Sequence, residues 1–115
     1  MKQLEKISCG NGIMDFYVEG KIIIIENPID SIGKCKNKII VTKNPSPDIF
    51  MLMKDCIGII TQNGGLTCHV ALIGRELGIP SIVGANDILD LVDNEMSIAI
   101  ESIAGKGIIY EIGEI

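Results

Sequence analysis

Apolar residues recur along this chain in short runs that predict a series of β-strands. Residues 4–7 and 13–19 alternate between apolar and polar side chains, which is typical of strands with one buried face. Gly20 is expected to end the second of these strands, and the continuous β-branched run at 21–26 predicts a strand covered on both faces. Shorter strands are predicted at 39–42, 57–61, 81–83, 96–100 and 108–112.

Helical spacing is clearest over residues 67–77. Thr67 is predicted to be the N-cap of this helix, and Gly78 followed by Pro80 is predicted to end it after three turns. The side of the helix that faces the core is predicted from residues recurring at helical spacing: Val70, Ile73, Gly74 and Leu77.

Two shorter helices are predicted elsewhere. Ser46 as N-cap and Pro47 at the first helical position predict a helix that continues over 48–54, with Ile49, Leu52 and Met53 facing inward. A brief helical turn capped by Asn86 or Asp87 is predicted to reach Leu91, and the segment 105–107 predicts a turn before the last strand. These elements together indicate an α/β fold with a mixed sheet and about three helices, forming a single domain over residues 1–115.

The composition of the chain excludes several classes of function. The formal net charge is −5 and no basic patch is visible, so a nucleic-acid-binding role is not expected. No apolar run reaches membrane-spanning length. The four cysteines form no CxxC pair and no signal peptide follows Met1, so we expect reduced thiols in a cytoplasmic protein.

The glycine-rich segment before the central helix contains the one histidine of the chain. Gly64 and Gly65 let the backbone turn sharply and approach an anion closely. His69 follows at the start of the helix, where unpaired amide groups and the helix dipole favour negative charge. A phosphoryl group on His69 would add close to two negative charges beside this anion site, so the pattern favours a phosphohistidine over a proton shuttle.

Residue pattern alone leaves simpler alternatives open. A single histidine at a helix start is often only a surface or capping residue, and Gly-Gly pairs are common in turns. Cys68 could be a reactive thiol at a helix N-terminus, although a small packing residue is the simpler interpretation. Arg75 and Glu76 are expected to be solvated. No metal site is predicted, because one histidine and scattered cysteines have no ligand spacing.

Residues 58–84, GIITQNGGLTCHVALIGRELGIPSIVG, resemble the mobile, swivelling phosphohistidine domain of phosphoenolpyruvate-utilising enzymes. That family includes phosphoenolpyruvate synthase, pyruvate phosphate dikinase, enzyme I of the sugar phosphotransferase system and rifampicin phosphotransferase. The Thr-Cys-His sequence is most similar to the synthase type. The positions that match the family pattern in order and spacing are Gly64, Gly65, Thr67, Cys68, His69, Arg75, Glu76, Gly78, Ile79, Pro80 and Gly84.

The resemblance implies a compact swivelling β/β/α fold in which His69 accepts and donates the phosphoryl group. It implies that Gly64, Gly65, Thr67 and Cys68 support the phosphate, and that Thr67 is a possible site of regulatory phosphorylation. Many family members have alanine at the position of Gly74. Glycine inside a helix costs roughly 0.5–1 kcal/mol relative to alanine unless close packing requires it, so we expect Gly74→Ala to be neutral or stabilising.

The resemblance also implies which parts of the reaction lie elsewhere. The sequence contains no GxxxxGK[ST] loop, and we expect no cofactor to be bound by this chain. Mg²⁺ and ATP or phosphoenolpyruvate are expected on separate nucleotide-binding and phosphoenolpyruvate- or pyruvate-binding partner chains. The expected function is that of a stand-alone phosphohistidine carrier in such a system. Two alternatives are a non-catalytic regulatory or interaction module and the small swivelling subunit of an aconitase-X-type dehydratase.

Overall fold

The computed structural model describes residues 2–114, which form a closed barrel of seven strands with two α-helices on its outside. The strands are β1 (Lys2–Ile13), β2 (Phe16–Ile25), β3 (Lys38–Thr42), β4 (Gly58–Thr61), β5 (Ser81–Val83), β6 (Ser97–Ile103) and β7 (Lys106–Glu114). The helices are α1 (Phe50–Met53) and α2 (His69–Leu77). Single 3₁₀ turns lie at Pro28–Ser31, Pro47–Ile49 and Ile88–Asp90.

The barrel is a mixed sheet, as the sequence predicts. Its strand order is β1-β5-β4-β3-β2-β6-β7, and β2 to β5 are parallel to one another. The contacts of β1 with β5 and β7, and of β6 with β2 and β7, are antiparallel. Parallel neighbours need a crossover connection, and α1 and α2 lie in the connections that lead to β4 and β5.

The strand boundaries near the N-terminus differ from the sequence prediction. β1 continues to Ile13, a corner at Met14 and Asp15 follows, and β2 passes through Gly20 without a break. Met14 has φ 67°, and the Asp15 side chain accepts a hydrogen bond of 3.0 Å from the amide of Ala104. A Cβ at Gly20 would lie 2.6 Å from Cδ1 of Ile57, so this glycine allows close packing and does not end the strand.

The two shorter predicted helices are present as short helical segments. Ser46 is at the N-cap position and Pro47 is the first residue of the turn, as predicted, but the Ser46 side chain makes no capping bond. The turn becomes the one-turn helix α1, and Ile49, Leu52 and Met53 are buried as predicted. The predicted brief helical turn is the 3₁₀ turn Ile88–Asp90, with Asp87 at its N-cap and Leu91 at its C-cap. The helix count of residues 2–114 is therefore roughly as predicted, with two α-helices and this turn.

The last hairpin turns one residue earlier than predicted. Ala104 and Gly105 form the turn with φ 51° and 84°, and Lys106 already belongs to β7. β6 accordingly extends to Ile103.

The core divides into two apolar clusters on opposite faces of the sheet. One cluster joins the helices to the sheet and includes Ile40, Leu52, Val70 and Ala71. The other includes the alternate strand positions, among them Ile22, Val41, Ile60, Ile82 and Ile109. No helix within residues 2–114 has the length and apolar character needed to cross a membrane.

Candidate functional site

The glycine-rich loop leaves the carboxyl end of β4 and leads directly into α2. α2 then runs back along the sheet to β5, which is parallel to β4. The first residue of α2 therefore lies at the edge of the sheet where the parallel strands end. Strand ends and helix N-termini meet at this edge, which is where α/β proteins commonly bind anions.

The start of the loop is fixed by hydrogen bonds to the strand and loop beside it. The amides of Gln62 and Asn63 donate to the carbonyls of Thr42 and Lys43 at 2.9 and 2.8 Å. The Asn63 side chain donates to the Asn44 side chain at 2.8 Å. Sequence reasoning missed the pair Asn44 and Asn63, whose only signal is that each asparagine directly precedes a Pro or Gly turn residue.

Gly64 is the position where the loop requires glycine. Its φ is +111°, and an added Cβ would lie 3.0 Å from Cγ of Pro45 and 3.1 Å from Sγ of Cys68. Gly65 has no neighbouring atom within 4 Å of its Cβ position, so the space beside it is open. The carbonyl of Gly65 accepts a hydrogen bond of 3.1 Å from the amide of Cys68, which closes the turn before the helix.

The prediction that Thr67 caps α2 is wrong. Cys68 is the N-cap, with extended φ −71° and ψ 165°, and its carbonyl accepts the amide of Leu72 at 3.0 Å. Thr67 lies inside the turn that the Cys68 amide closes, one residue too early to cap the helix. The Cys68 side chain makes no capping hydrogen bond within the described residues, so the amide groups of the first turn of α2 are left for water or an anion.

His69 is the first residue of α2 and is exposed. Thr67 is exposed as well, and Cys68 is half-buried with its sulfur against Gly64, which agrees with the packing interpretation. Leu66 and Leu72, on either side of His69 in the chain, are 53% and 51% exposed. The structure thus brings the predicted site residues 64–69 into one exposed loop and helix start.

The buried face of α2 does not extend to Leu77, the last of the four residues predicted to face the core. Val70, Ala71 and Gly74 are buried and Ile73 is partly buried, but Leu77 is 48% exposed. Gly78 ends the helix in the left-handed conformation with φ 72°, as predicted, and Arg75 and Glu76 are exposed.

Gly74 lies against β5, so the close packing that would make glycine necessary at this position is present. A Cβ at Gly74 would stand 2.2 Å from Oγ and 3.2 Å from Cβ of Ser81. Ser81 is fully buried, and its hydroxyl donates to the Ile79 carbonyl at 2.8 Å. The helix can approach the strand this closely only with glycine at position 74.

The cysteines of the described chain are free thiols. Burial raises the pKa of Cys56 to about 11 and raises the pKa of Cys35, which makes both poor nucleophiles at neutral pH. Residues 2–114 contain no group of three or more His, Cys, Asp or Glu side chains placed to hold a metal ion.

Comparison with known proteins gives a family match. Residues 34–105, more than half of the chain, match the family model described as PEP-utilising enzyme, mobile domain. The chain is 34% identical over 112 residues to the probable phosphoenolpyruvate synthase of Methanothermobacter thermautotrophicus, covering 96% of this chain and 16% of that protein. It is 36% identical over 108 residues to the phosphoenolpyruvate synthase of Helicobacter pylori, covering 92% of this chain and 13% of that protein. The chain therefore spans less than a fifth of the length of these relatives.

Solved structures agree on the fold. The NMR structure of the Enzyme I (nEIt) protein superposes with a TM-score of 0.58 and 24% identity, over 68% of this chain and 32% of that one. The solution structure of a UPF0107 protein superposes with a TM-score of 0.63 and 16% identity, over 96% of this chain and all of that one (100%). At these identities the two structures support the architecture alone.

Proposed function

Because this chain belongs to the family of PEP-utilising enzyme mobile domains, we propose that it carries a phosphoryl group on His69 between a donor and an acceptor. The observation that supports this most strongly is the position of His69, which is exposed at the start of an uncapped helix that follows a glycine loop. The reaction served would be a phosphotransfer linked to phosphoenolpyruvate or ATP, as the names of the phosphoenolpyruvate synthase relatives suggest.

The chemistry needs little from the carrier beyond a nucleophile and an anion site. An imidazole nitrogen of His69 attacks the phosphorus of the donor, and the bond from phosphorus to the donor oxygen breaks with its electron pair leaving on that oxygen. The phosphohistidine bears close to two negative charges, which the free amides of α2 and the open space at Gly65 can accommodate. Attack by an acceptor oxygen reverses these steps and regenerates the imidazole.

We propose that partner chains, and not this chain, activate the phosphoryl donor. Phosphoryl transfer from ATP or phosphoenolpyruvate is normally assisted by Mg²⁺ and cationic side chains that neutralise the developing charge. We propose that Mg²⁺ and ATP or phosphoenolpyruvate bind to separate nucleotide-binding and phosphoenolpyruvate- or pyruvate-binding chains, with the carrier moving between them in the cytoplasm. Gly64, Gly65, Thr67 and Cys68 support the phosphate in this scheme, and exposed Thr67 is a possible regulatory site.

The purified chain is expected to incorporate no phosphoryl group from either donor by itself. The test incubates the protein with Mg²⁺ and ATP, or with Mg²⁺ and phosphoenolpyruvate, and measures the intact mass. The same incubation is then repeated with candidate nucleotide-binding and phosphoenolpyruvate-binding proteins from the same source. One phosphoryl group per chain only in the presence of a partner is the expected result, and stoichiometric labelling of the pure chain would refute partner dependence.

Substitution of Leu66 and Leu72 by serine is expected to weaken partner docking without affecting the fold. Both side chains are half-exposed beside His69, so their removal costs little core packing but removes apolar contact area from a docked complex. We expect each variant to raise the KM for the partner roughly fivefold, with kcat and the thermal unfolding midpoint unchanged. Leu4→Ser is the matched control, because Leu4 is 41% exposed on β1, and it should behave like the parent chain. An unchanged KM in the Leu66 and Leu72 variants would contradict docking through this surface.

A further inference from the structure

The side chain of Asn11 lies next to the glycine loop, although the two are far apart in sequence. β1 is antiparallel to β5 and pairs Asn11 with Val83. The chain then turns at Gly84, which has φ +74°. A Cβ at Gly84 would be 3.0 Å from the carbonyl oxygen of Gly64 and 3.4 Å from Nδ2 of Asn11. The loop and the Asn11 amide therefore both lie close to the same point beside Gly84.

The turn at Gly84 is held by backbone contacts to β4 and β1. The amide of Ala85 donates to the carbonyl of Thr61 at 3.0 Å, which joins the turn after β5 to the end of β4. A Cβ at Gly10 would be 2.8 Å from the Val83 carbonyl, so β1 approaches this turn closely as well. Asn11 thus lies in a β-strand that pairs with β5, and this pairing fixes the position of its backbone.

The side-chain amide of Asn11 is not used in a hydrogen bond within the described structure. The side chain is exposed and has no hydrogen-bond partner within residues 2–114, whereas the side chains of Asn44 and Asn63 bond to each other. A primary amide offers two N–H donors. A free donor therefore lies at the edge of the sheet where α2 begins.

We propose that Asn11 is a further phosphate-binding residue, whose side-chain amide donates a hydrogen bond to the phosphoryl group carried by His69. This inference rests on the proposed function of His69. Gly74 packs against Ser81 at the start of β5, so the first turn of α2 points toward the Val83–Gly84 end where Asn11 lies. A phosphoryl group has three strong acceptor oxygens, and a charge-assisted hydrogen bond from Asn11 adds to those from the helix amides. Asn11 lies outside residues 34–105, so the family match does not include it.

The test uses phosphoramidate, an anionic reagent that phosphorylates imidazole without a protein partner. A His69 nitrogen attacks phosphorus, the bond from phosphorus to the amine nitrogen breaks, and the amine leaves as ammonia after taking up a proton. The rate of labelling is followed by intact mass in the parent chain, Asn11→Asp, Asn11→Ala and Asn37→Asp. Asn37 is an exposed asparagine just before β3, at the opposite end of that strand from the glycine loop, so its variant makes the same charge change away from the site.

Asn11→Asp is expected to slow labelling about tenfold, because it removes the donor and repels the anion, and Asn11→Ala is expected to slow it less. Asn37→Asp should label within about twofold of the parent, and the unfolding midpoints of all variants should agree. In the parent chain, the side-chain NH₂ resonance of Asn11 should move downfield when His69 is phosphorylated. Labelling of Asn11→Asp at the rate of Asn37→Asp, or an Asn11 resonance that does not move, would overturn the inference.

Failure here is distinguishable from failure of the proposed function. Phosphoramidate labels His69 chemically, so the comparison of variants does not require a physiological donor. If the Asn11 effects appear but no partner protein ever phosphorylates the chain, the anion site stands and the carrier role fails. If partners phosphorylate His69 equally well in all the variants, the carrier role stands and the role of Asn11 is refuted.

Discussion

His69→Ala is expected to abolish phosphoryl incorporation from any donor and partner while leaving the fold intact. The chain has one histidine, so this substitution removes the sole imidazole. His69 is exposed at the first position of α2, and alanine is favourable in a helix, so the unfolding midpoint should change little. The measurements are intact mass after incubation with donor and partner proteins, and thermal unfolding followed by circular dichroism.

Thr67→Ala is the matched control for that experiment. Thr67 is an exposed hydroxyl two residues from His69 and could itself accept a phosphoryl group. Thr67→Ala should still acquire one phosphoryl group per chain, although more slowly, because Thr67 supports the phosphate. The label should be lost in acid and stable in base, as expected for a phosphoramidate. An acid-stable label, or a label that survives in His69→Ala, would show that the acceptor is a different residue.

Local sequence signals predicted the central part of the fold well. Strands β3, β4 and β5 and the glycine end of α2 depend on nearby residues, such as the β-branched runs and the Gly78–Pro80 stop. The start of α2 was predicted one residue early, because Thr67 and Cys68 both precede the apolar spacing and only the turn closed by Gly65 decides between them. Gly20 gives the same local signal whether it breaks a strand or makes room for Ile57.

Features that depend on tertiary packing could not be predicted. The barrel closes because β1 pairs with both β5 and β7, and no local pattern encodes those partners. The same closure brings Asn11 to the edge of the glycine loop, so a candidate site residue was missed although His69 was found. The asparagine pair Asn44 and Asn63 was missed for the same reason, since each lies on a different connection of the sheet.

Gly74→Ala is expected to destabilise the protein by about 2 kcal/mol. Better helix propensity alone would stabilise α2 by roughly 0.5–1 kcal/mol. The new methyl group, however, would clash with the Ser81 hydroxyl, since its Cβ would be 2.2 Å from Oγ. Either α2 moves away from β5, or the buried hydroxyl turns and loses its hydrogen bond to Ile79. Overpacking and a buried unsatisfied hydroxyl each cost about 1–3 kcal/mol, so the clash outweighs the propensity gain.

A double-mutant cycle with Ser81→Ala separates the clash from other effects of the substitution. Ser81→Ala alone should cost about 1 kcal/mol, because it removes one buried hydrogen bond. In the background of Ser81→Ala, Gly74→Ala loses its closest contact and retains two contacts of 3.2 Å, to Cβ of residue 81 and to the Ile79 carbonyl, so its cost should fall below about 1 kcal/mol. Urea unfolding of the four proteins measures both values. Two outcomes would contradict this account. If the single variant Gly74→Ala is as stable as the parent, β5 can move to make room for the methyl group and α2 is not held tightly against Ser81.

If Gly74→Ala costs the same in both backgrounds, the destabilisation arises elsewhere, for example at the Ile79 carbonyl, which lies 3.2 Å from the same Cβ position.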